Sequence, residues 1–105
     1  PAHFSWRKGS TSGTEQKDLG RFSDRGTGVT VYRLATGKRR VLPGKDHLRV
    51  VFVMKGRGRC GRKSYLRHTA IEFAPGETAA FAPEARTELL CMTIPSLAAM
   101  GLKAV

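Results

Sequence analysis

The sequence predicts an all-β fold, a single barrel or sandwich built from short strands. About seven or eight β-branched or alternating segments follow one another with Gly and Pro turns between them, a spacing typical of such folds. The 105 residues are 40% hydrophobic and 26% charged, which suits one core. No apolar run approaches the roughly 20 residues of a membrane-spanning helix.

The predicted strands begin at residue 29. Residues 29–35 alternate and are rich in β-branched side chains, and residues 38–42 form a short strand that ends at Pro43-Gly44. Residues 48–54 give the strongest signal. Apolar side chains occur on both faces of this segment, which places it in the interior of a sheet.

The remaining strands are shorter and more closely spaced. After a glycine-rich hairpin region they are predicted at residues 64–66, 70–73, 78–82 and 88–94. Beyond Pro95, Ser96 can cap a short C-terminal helix that runs through Met100. Residues 1–28 show no sustained period. We interpret them as an N-terminal arm or irregular lead-in, with one short strand around residues 3–7, and residues 29–105 as the folded domain.

Charge is the unusual feature of the composition. The chain has 19 Lys and Arg against 8 Asp and Glu, a formal net charge of +11. Such a field attracts anions, whether small phosphorylated or carboxylated molecules, nucleic acid or an acidic surface. The basic run over residues 55–63 is compatible with nucleic acid as a partner. The alternative, a solvated hairpin, is favoured because no base-stacking aromatic residues interrupt the run.

The sequence also indicates a compartment. The N-terminal residues contain no apolar stretch of the kind found in secretory signals, and the two cysteines, Cys60 and Cys91, lie far apart. We therefore expect a cytoplasmic protein with reduced thiols and no membrane association.

Two stretches resemble the motifs of the cupin superfamily. Residues 42–44, Leu-Pro-Gly, and residues 50–58, which end in Gly56-Arg57-Gly58, resemble the first cupin motif. Residues 74–83, which begin Ala-Pro-Gly-Glu and end in Pro83, resemble the second. The resemblance covers about two-thirds of the chain. It implies a jelly-roll β-barrel, often dimeric, with a ligand pocket at one mouth.

The metal ligands of cupins are not matched. The resemblance places a glutamate where this chain has Arg49, and the last histidine where it has Glu88; His47 lies near the first motif but out of register. Arginine has no lone pair to offer a metal ion, and one carboxylate cannot fill a metal's coordination shell. We therefore expect no metal and no other cofactor.

The same positions suggest a different ligand. If Arg49 and Glu88 face each other inside the barrel, an ion pair takes the place of the metal, and a pocket arginine suits an anionic ligand. We predict that Arg49, Glu88, Arg86 and Arg33 bind a small anion. The alternative is that Arg49 faces solvent at the end of its strand.

Acid–base chemistry has few candidates. His47 is the histidine nearest the presumed pocket mouth, and Tyr65, or else Tyr32, is its potential partner, as in cupins that pair a histidine with a tyrosine. Ordinary structural roles are the alternative. The function is thus predicted as small-anion binding by a sensor module or by an isomerase or lyase, and whether the chain is an enzyme stays open.

A lesser alternative comes from another short pattern. Gly76-Glu77-x-Ala79 followed by Arg86-Thr87 has the spacing of the phosphate-binding cassette of cyclic-nucleotide-binding domains. In those domains the glutamate holds a ribose hydroxyl and the arginine holds the cyclic phosphate.

The strand over residues 48–54 also predicts an assembly. If Arg49 and the alternate residues face inward, then Leu48, Val50, Phe52 and Met54 face outward. An apolar row of this kind is normally covered. The N-terminal arm, through Phe4 and Trp6, or a second subunit can supply the cover, and we expect a symmetric homodimer.

Overall fold

The computed structural model describes residues 6–8, 13–21, 28–44 and 46–94. Within these ranges every regular element is a β-strand, and the strands form two antiparallel sheets. No helix in the described ranges is long and apolar enough to cross a membrane. The helix predicted after Ser96 and the side chain of Phe4 lie outside the described residues.

The larger sheet has six strands. Their spatial order is β1 (Arg7–Lys8), β2 (Thr14–Arg21), β3 (Gly28–Leu34), β10 (Thr87–Ile94), β5 (Leu48–Lys55) and β8 (Ala70–Phe73). As predicted, β5 is an interior strand, because it pairs with β10 on one side and with β8 on the other. The strand predicted over residues 70–73 has those bounds. The strands predicted over 48–54 and 88–94 differ from β5 and β10 by one residue at one end, and the strand predicted over 29–35 is shifted from β3 by one residue at both ends.

The smaller sheet has four strands. Their order is β4 (Arg40–Val41), β9 (Ala80–Pro83), β6 (Gly58–Cys60) and β7 (Lys63–Tyr65). In the part of the chain that the structure describes, no strand pair joins this sheet to the larger one. The all-β prediction is therefore confirmed, whereas the predicted closed barrel is observed as two separate sheets.

The core lies between the two sheets. On β5, Arg49, Val51 and Val53 are fully buried while Phe52 between them is exposed, so the predicted alternation is confirmed. From the smaller sheet, Phe81 packs edge-on against Tyr65 with ring centroids 5.4 Å apart. The other core residues are Tyr32, Leu34, Leu42, Phe73, Ala79, Leu89 and Cys91.

One hydrogen bond links the two sheets, and one glycine allows close approach within the smaller sheet. The Tyr65 hydroxyl lies 2.8 Å from Thr87 Oγ1, which links β7 to β10 across the core. Gly58 lies beneath this contact, and a Cβ atom there would be 2.4 Å from the Ala82 carbonyl oxygen and 2.8 Å from the Tyr65 hydroxyl. Both distances are shorter than a real Cβ contact, so only glycine lets β6 approach β9 this closely.

The second strand was not predicted. The sequence indicates an irregular lead-in through residue 28, but β2 pairs with β3 along its whole length. Its residues, Thr-Glu-Gln-Lys-Asp-Leu-Gly-Arg, are mostly polar, and most of its side chains are at least partly exposed. A strand with polar groups on both faces has no hydrophobic alternation for sequence reasoning to detect. A register shift between Asp18 and Gly20 disturbs the pattern further.

The outward face of the larger sheet is apolar. Cross-strand pairs place Leu90 opposite Val31 and Phe52, and Met92 opposite Val29 and Val50. Opposed residues share one face of a sheet, so these side chains form one continuous row across β3, β10 and β5. Phe52 is 37% exposed and Met92 is 40% exposed.

Candidate functional site

A pocket of about 600 Å³ lies at one end of the strands of the larger sheet, where β2 begins and β3 ends. We call it the basic pocket. Its lining residues are Trp6, Arg7, Lys8, Gly13, Thr14, Glu15, Arg33, Ala35, Thr36 and Arg86.

Strand pairing brings the charged residues of the basic pocket together. Glu15 on β2 is directly opposite Arg33 on β3, and Arg86 immediately precedes β10, the next strand across the sheet. Arg33 lies between the core residues Tyr32 and Leu34, so its side chain points to the outward face. Two arginines far apart in sequence therefore meet beside one carboxylate.

The two guanidinium groups converge on one oxygen atom. Arg33 Nη1 lies 3.8 Å from Glu15 Oε1, and Arg86 Nη2 lies 3.9 Å from the same atom. Both distances exceed hydrogen-bond length, so these are ion pairs without a direct hydrogen bond. The Arg33 side chain is 25% exposed, whereas that of Arg86 is 63% exposed.

Trp6 holds the more buried arginine in place. The guanidinium carbon of Arg33 is 3.8 Å from the centroid of the Trp6 ring, and Lys17 Nζ is 4.8 Å from it. A cation over a tryptophan face is attracted by the ring quadrupole, and planar guanidinium groups also stack on such rings. The orientation of Arg33 is therefore fixed before any ligand arrives.

The balance of charge in the basic pocket is positive. Arg7 forms an ion pair with Asp18, so its charge is compensated. Lys8, Arg33 and Arg86 remain, and Glu15 is the one carboxylate among the described residues that line the pocket. A pocket with this charge and with the two planar guanidinium groups of Arg33 and Arg86 suits an oxyanion.

Arg49 has a structural position. It is fully buried, and its Nη1 donates hydrogen bonds to the carbonyl oxygens of Leu42, at 3.4 Å, and Pro43, at 3.2 Å. Its Nη2 donates to the carbonyl oxygen of Glu77. The guanidinium carbon lies 5.4 Å from the centroid of the Phe73 ring. Arg49 thus ties β5 to the loop that precedes it and to the loop between β8 and β9, and we call this set of contacts the arginine clasp.

The predicted ion pair between Arg49 and Glu88 is wrong. Arg49 is opposite Thr93 in the β5–β10 register, whereas Glu88 is opposite Lys55 at the other end of β10. A register shift follows Glu88, and its partner on β3 is the outward-facing Arg33. Glu88 therefore lies on the outward face, and neither Glu88 nor Arg49 lines the basic pocket.

The predicted acid–base pair is not brought together either. His47 is exposed and lines a second pocket of about 320 Å³ with Asp18, Thr30 and Thr93. Tyr65 is buried in the core and bonded to Thr87, and burial raises its pKa. Burial also raises the pKa of Tyr32, a core residue that does not line the His47 pocket. Neither tyrosine is placed to exchange a proton with a ligand beside His47.

The remaining predicted patterns are separated in space as well. The Glu77 carboxylate accepts a hydrogen bond from the Ala74 amide within its own turn, and Glu77 does not line the pocket that holds Arg86. Among the described residues, no three His, Cys, Asp or Glu side chains are grouped as metal ligands would be. With an arginine in one expected ligand position and an outward carboxylate in another, these residues do not fit a cupin metal centre.

Sequence reasoning identified Arg33 and Arg86 but missed Trp6 and Glu15. The available signal was the run Trp6-Arg7-Lys8, in which an aromatic residue precedes two cations. Glu15 gave no signal, because its role depends on a strand that the sequence did not reveal.

Comparison with known proteins establishes the fold. No protein-family model matches the chain, and no curated protein matches it in sequence. Ectoine synthase from P. lautus is similar in structure, with a TM-score of 0.67 at 16% identity over 82% of this chain and 67% of that one. An RmlC-like cupin from Shewanella frigidimarina has a TM-score of 0.72 at 13% identity, covering 90% and 86%.

A cupin 2 conserved barrel domain protein from Rhodopseudomonas palustris is also similar, with a TM-score of 0.70 at 11% identity over 90% of this chain and 73% of that one. The cupin resemblance seen in the sequence is thus confirmed at the level of the fold. Identities this low carry no information about the ligand.

The arginine clasp predicts a loss of stability in Arg49→Met. Methionine fills much of the space but donates no hydrogen bonds, so three carbonyl oxygens lose a buried donor. We expect the free energy of unfolding in urea to fall by about 1–3 kcal/mol. Arg62→Met, at an exposed turn, is the control and should change it by less than about 0.5 kcal/mol. Equal stabilities for the two variants would contradict the clasp.

Proposed function

We propose that this chain is a small cupin-fold binding module that takes a small anionic ligand in the basic pocket. One observation carries the proposal: two guanidinium groups meet at a single carboxylate oxygen, and one of them is held against a tryptophan ring. Arginine forks match the geometry of carboxylates and phosphates. The carboxylate already present indicates the kind of group that the pocket accepts.

A binding role is better supported than an isomerase or lyase activity. The only described carboxylate that lines the basic pocket is engaged by two arginines, and His47 lines a different pocket. General acid–base catalysis needs a proton donor or acceptor within hydrogen-bond reach of the ligand. The fold does not decide the matter, because one fold serves many functions and ectoine synthase is among the structures similar to this chain.

The proposal predicts specific losses of affinity for inorganic phosphate. Arg33→Gln and Arg86→Gln should each weaken binding about tenfold in calorimetric titrations, because each removes one charge-assisted contact. Arg62→Gln is the matched control: it removes the same charge from an exposed turn outside the pocket and should leave affinity nearly unchanged.

Two results would contradict the proposal. The first is the absence of saturable phosphate binding to the unmodified protein. The second is an equal loss of affinity in Arg62→Gln, since binding would then depend on net charge rather than on the pocket.

A second candidate function is nucleic-acid binding by the β6–β7 hairpin. Arg57, Arg59, Arg62 and Lys63 are all exposed there, on the hairpin or immediately before it. Binding of a single-stranded oligonucleotide should then weaken steeply with salt and in the double variant Arg59→Gln/Arg62→Gln, while Arg33→Gln has little effect. Phosphate binding that depends on Arg33, without oligonucleotide binding, favours the pocket instead.

We also propose that a second copy of the chain covers the outward face of the larger sheet. Trp6, one of the two arm residues expected to cover this face, lies over Lys17 and Arg33 on its β2–β3 side, whereas Phe52 and Met92 on the β5–β10 side stay exposed. Light scattering should give twice the chain mass, because burial of this row stabilises association. Phe52→Glu should give a monomer, and Leu66→Glu, at a turn residue that is 62% exposed, should not. A monomeric unmodified chain would contradict the proposal.

A further inference from the structure

We infer that Glu15 is a built-in competitor for the basic pocket and that the ligand which displaces it carries two negative charges on oxygen, as a phosphate monoester does. The inference rests on the proposed function and adds to it the ligand class and a way in which the empty pocket is held. It follows from the geometry of Glu15, from its tether to the sheet and from the charge count around it.

Glu15 occupies the anion position without using the donors there. Its Oε1 lies 3.8 Å from Arg33 and 3.9 Å from Arg86, so Coulomb attraction acts but neither distance is a hydrogen bond. Among the described residues, no acceptor lies within hydrogen-bond distance of either guanidinium group. An oxyanion that enters between the two arginines can therefore form charge-assisted hydrogen bonds that Glu15 does not make.

The strand register keeps Glu15 permanently available. Its backbone is fixed opposite Arg33 by the β2–β3 pairing, so its carboxylate competes as a tethered group at high effective concentration. A free monocarboxylate would exchange one negative charge for another and also lose translational freedom. Such a ligand cannot displace Glu15 efficiently, and the pocket discriminates against it.

A dianion has the advantage that a monoanion lacks. Among the described residues, Glu15 is the only acidic side chain that forms an ion pair with Lys8, Arg33 or Arg86, whereas Arg7 is paired with Asp18. At a given distance the Coulomb attraction of a doubly charged group to these cations is about twice that of a single carboxylate. The volume of about 600 Å³ leaves room for an organic substituent on the phosphate.

Solvent can accommodate the Glu15 carboxylate when a ligand displaces it. The Glu15 side chain is 47% exposed, so it can turn into solvent without being buried elsewhere. The exchange changes the charge beside Arg33, and Trp6, the single tryptophan of the chain, lies over Arg33. Tryptophan fluorescence therefore reports the exchange directly.

The test is a titration of Glu15→Gln with inorganic phosphate, at a pH of about 8 where phosphate is mainly doubly charged. We expect phosphate to bind about five- to tenfold more tightly than to the unmodified protein, because two ion pairs no longer oppose it. Acetate, a single charge, should gain detectable binding only in Glu15→Gln. Glu15→Asp keeps the charge but shortens the side chain, and should give an intermediate gain.

The matched control is Glu72→Gln. Glu72 is exposed on β8, at the opposite edge of the larger sheet from β1, and its removal changes the net charge equally. An equal gain in Glu72→Gln would overturn the inference, since the effect would be one of overall charge. No gain in Glu15→Gln, with affinity still lost in Arg33→Gln, would overturn the competitor role and leave the proposed function standing. Absence of phosphate binding to every variant would overturn the proposed function itself.

Discussion

The burial of one positive charge, that of Arg49, is the constraint on which the arrangement of this molecule depends. A guanidinium group between two sheets is costly unless its donors are satisfied. Here the carbonyl oxygens of Leu42, Pro43 and Glu77 accept hydrogen bonds from the two terminal nitrogens, while Nε has no partner among the described residues. These carbonyls belong to two loops that also have backbone hydrogen bonds of their own, from the Leu42 amide to the Ala79 carbonyl and from the Glu77 amide to the Ala74 carbonyl. The Arg49 side chain adds hydrogen bonds that join β5 to both loops.

The same charge decides what the space between the sheets can hold. A fixed cation repels a metal ion, and the remaining volume is filled by packed aromatic and aliphatic side chains such as Phe73 and Phe81. Tyr65 is part of this packing and is held by Thr87 rather than presented to a ligand. Because the interior is occupied, an anion can bind only outside the core. The charged groups of the basic pocket lie at one end of the larger sheet, where the start of β2, the end of β3 and the start of β10 come together.

The sequence predicted the strands that have a clear pattern of buried apolar side chains. β5 and β10 were recognised because apolar side chains alternate or run continuously along them. The inward position of Arg49 came from the motif count, and a solvent-facing Arg49 was the alternative. β2 was missed because polar side chains occupy both of its faces. Glu88 was placed on the wrong face because its position was taken from the motif count and not from the alternation of β10, in which the buried Leu89 and Cys91 put Glu88 on the opposite face.

The candidate site was predictable only in part, for the same reason. Arg33 and Arg86 could be named from the sequence, but their meeting depends on the pairing of β3 with β2 on one side and β10 on the other. Glu15 belongs to the missed strand, so its position between the two arginines had no trace in the sequence. To predict a site assembled by cross-strand pairing, the register of every strand involved has to be known. If one strand is not recognised, the site cannot be predicted.

Selectivity in this molecule has to come from short distances. A formal charge of +11 attracts every anion, and that attraction is screened beyond about 10 Å at moderate salt. The field therefore raises the local concentration of anions without choosing among them. Choice arises where Arg33, held by Trp6, and Arg86 converge on one point that Glu15 already occupies. An anion binds there only if it interacts with both arginines more strongly than the tethered Glu15 carboxylate does. Glu15 therefore sets the minimum interaction free energy for binding, and singly charged ligands do not reach it.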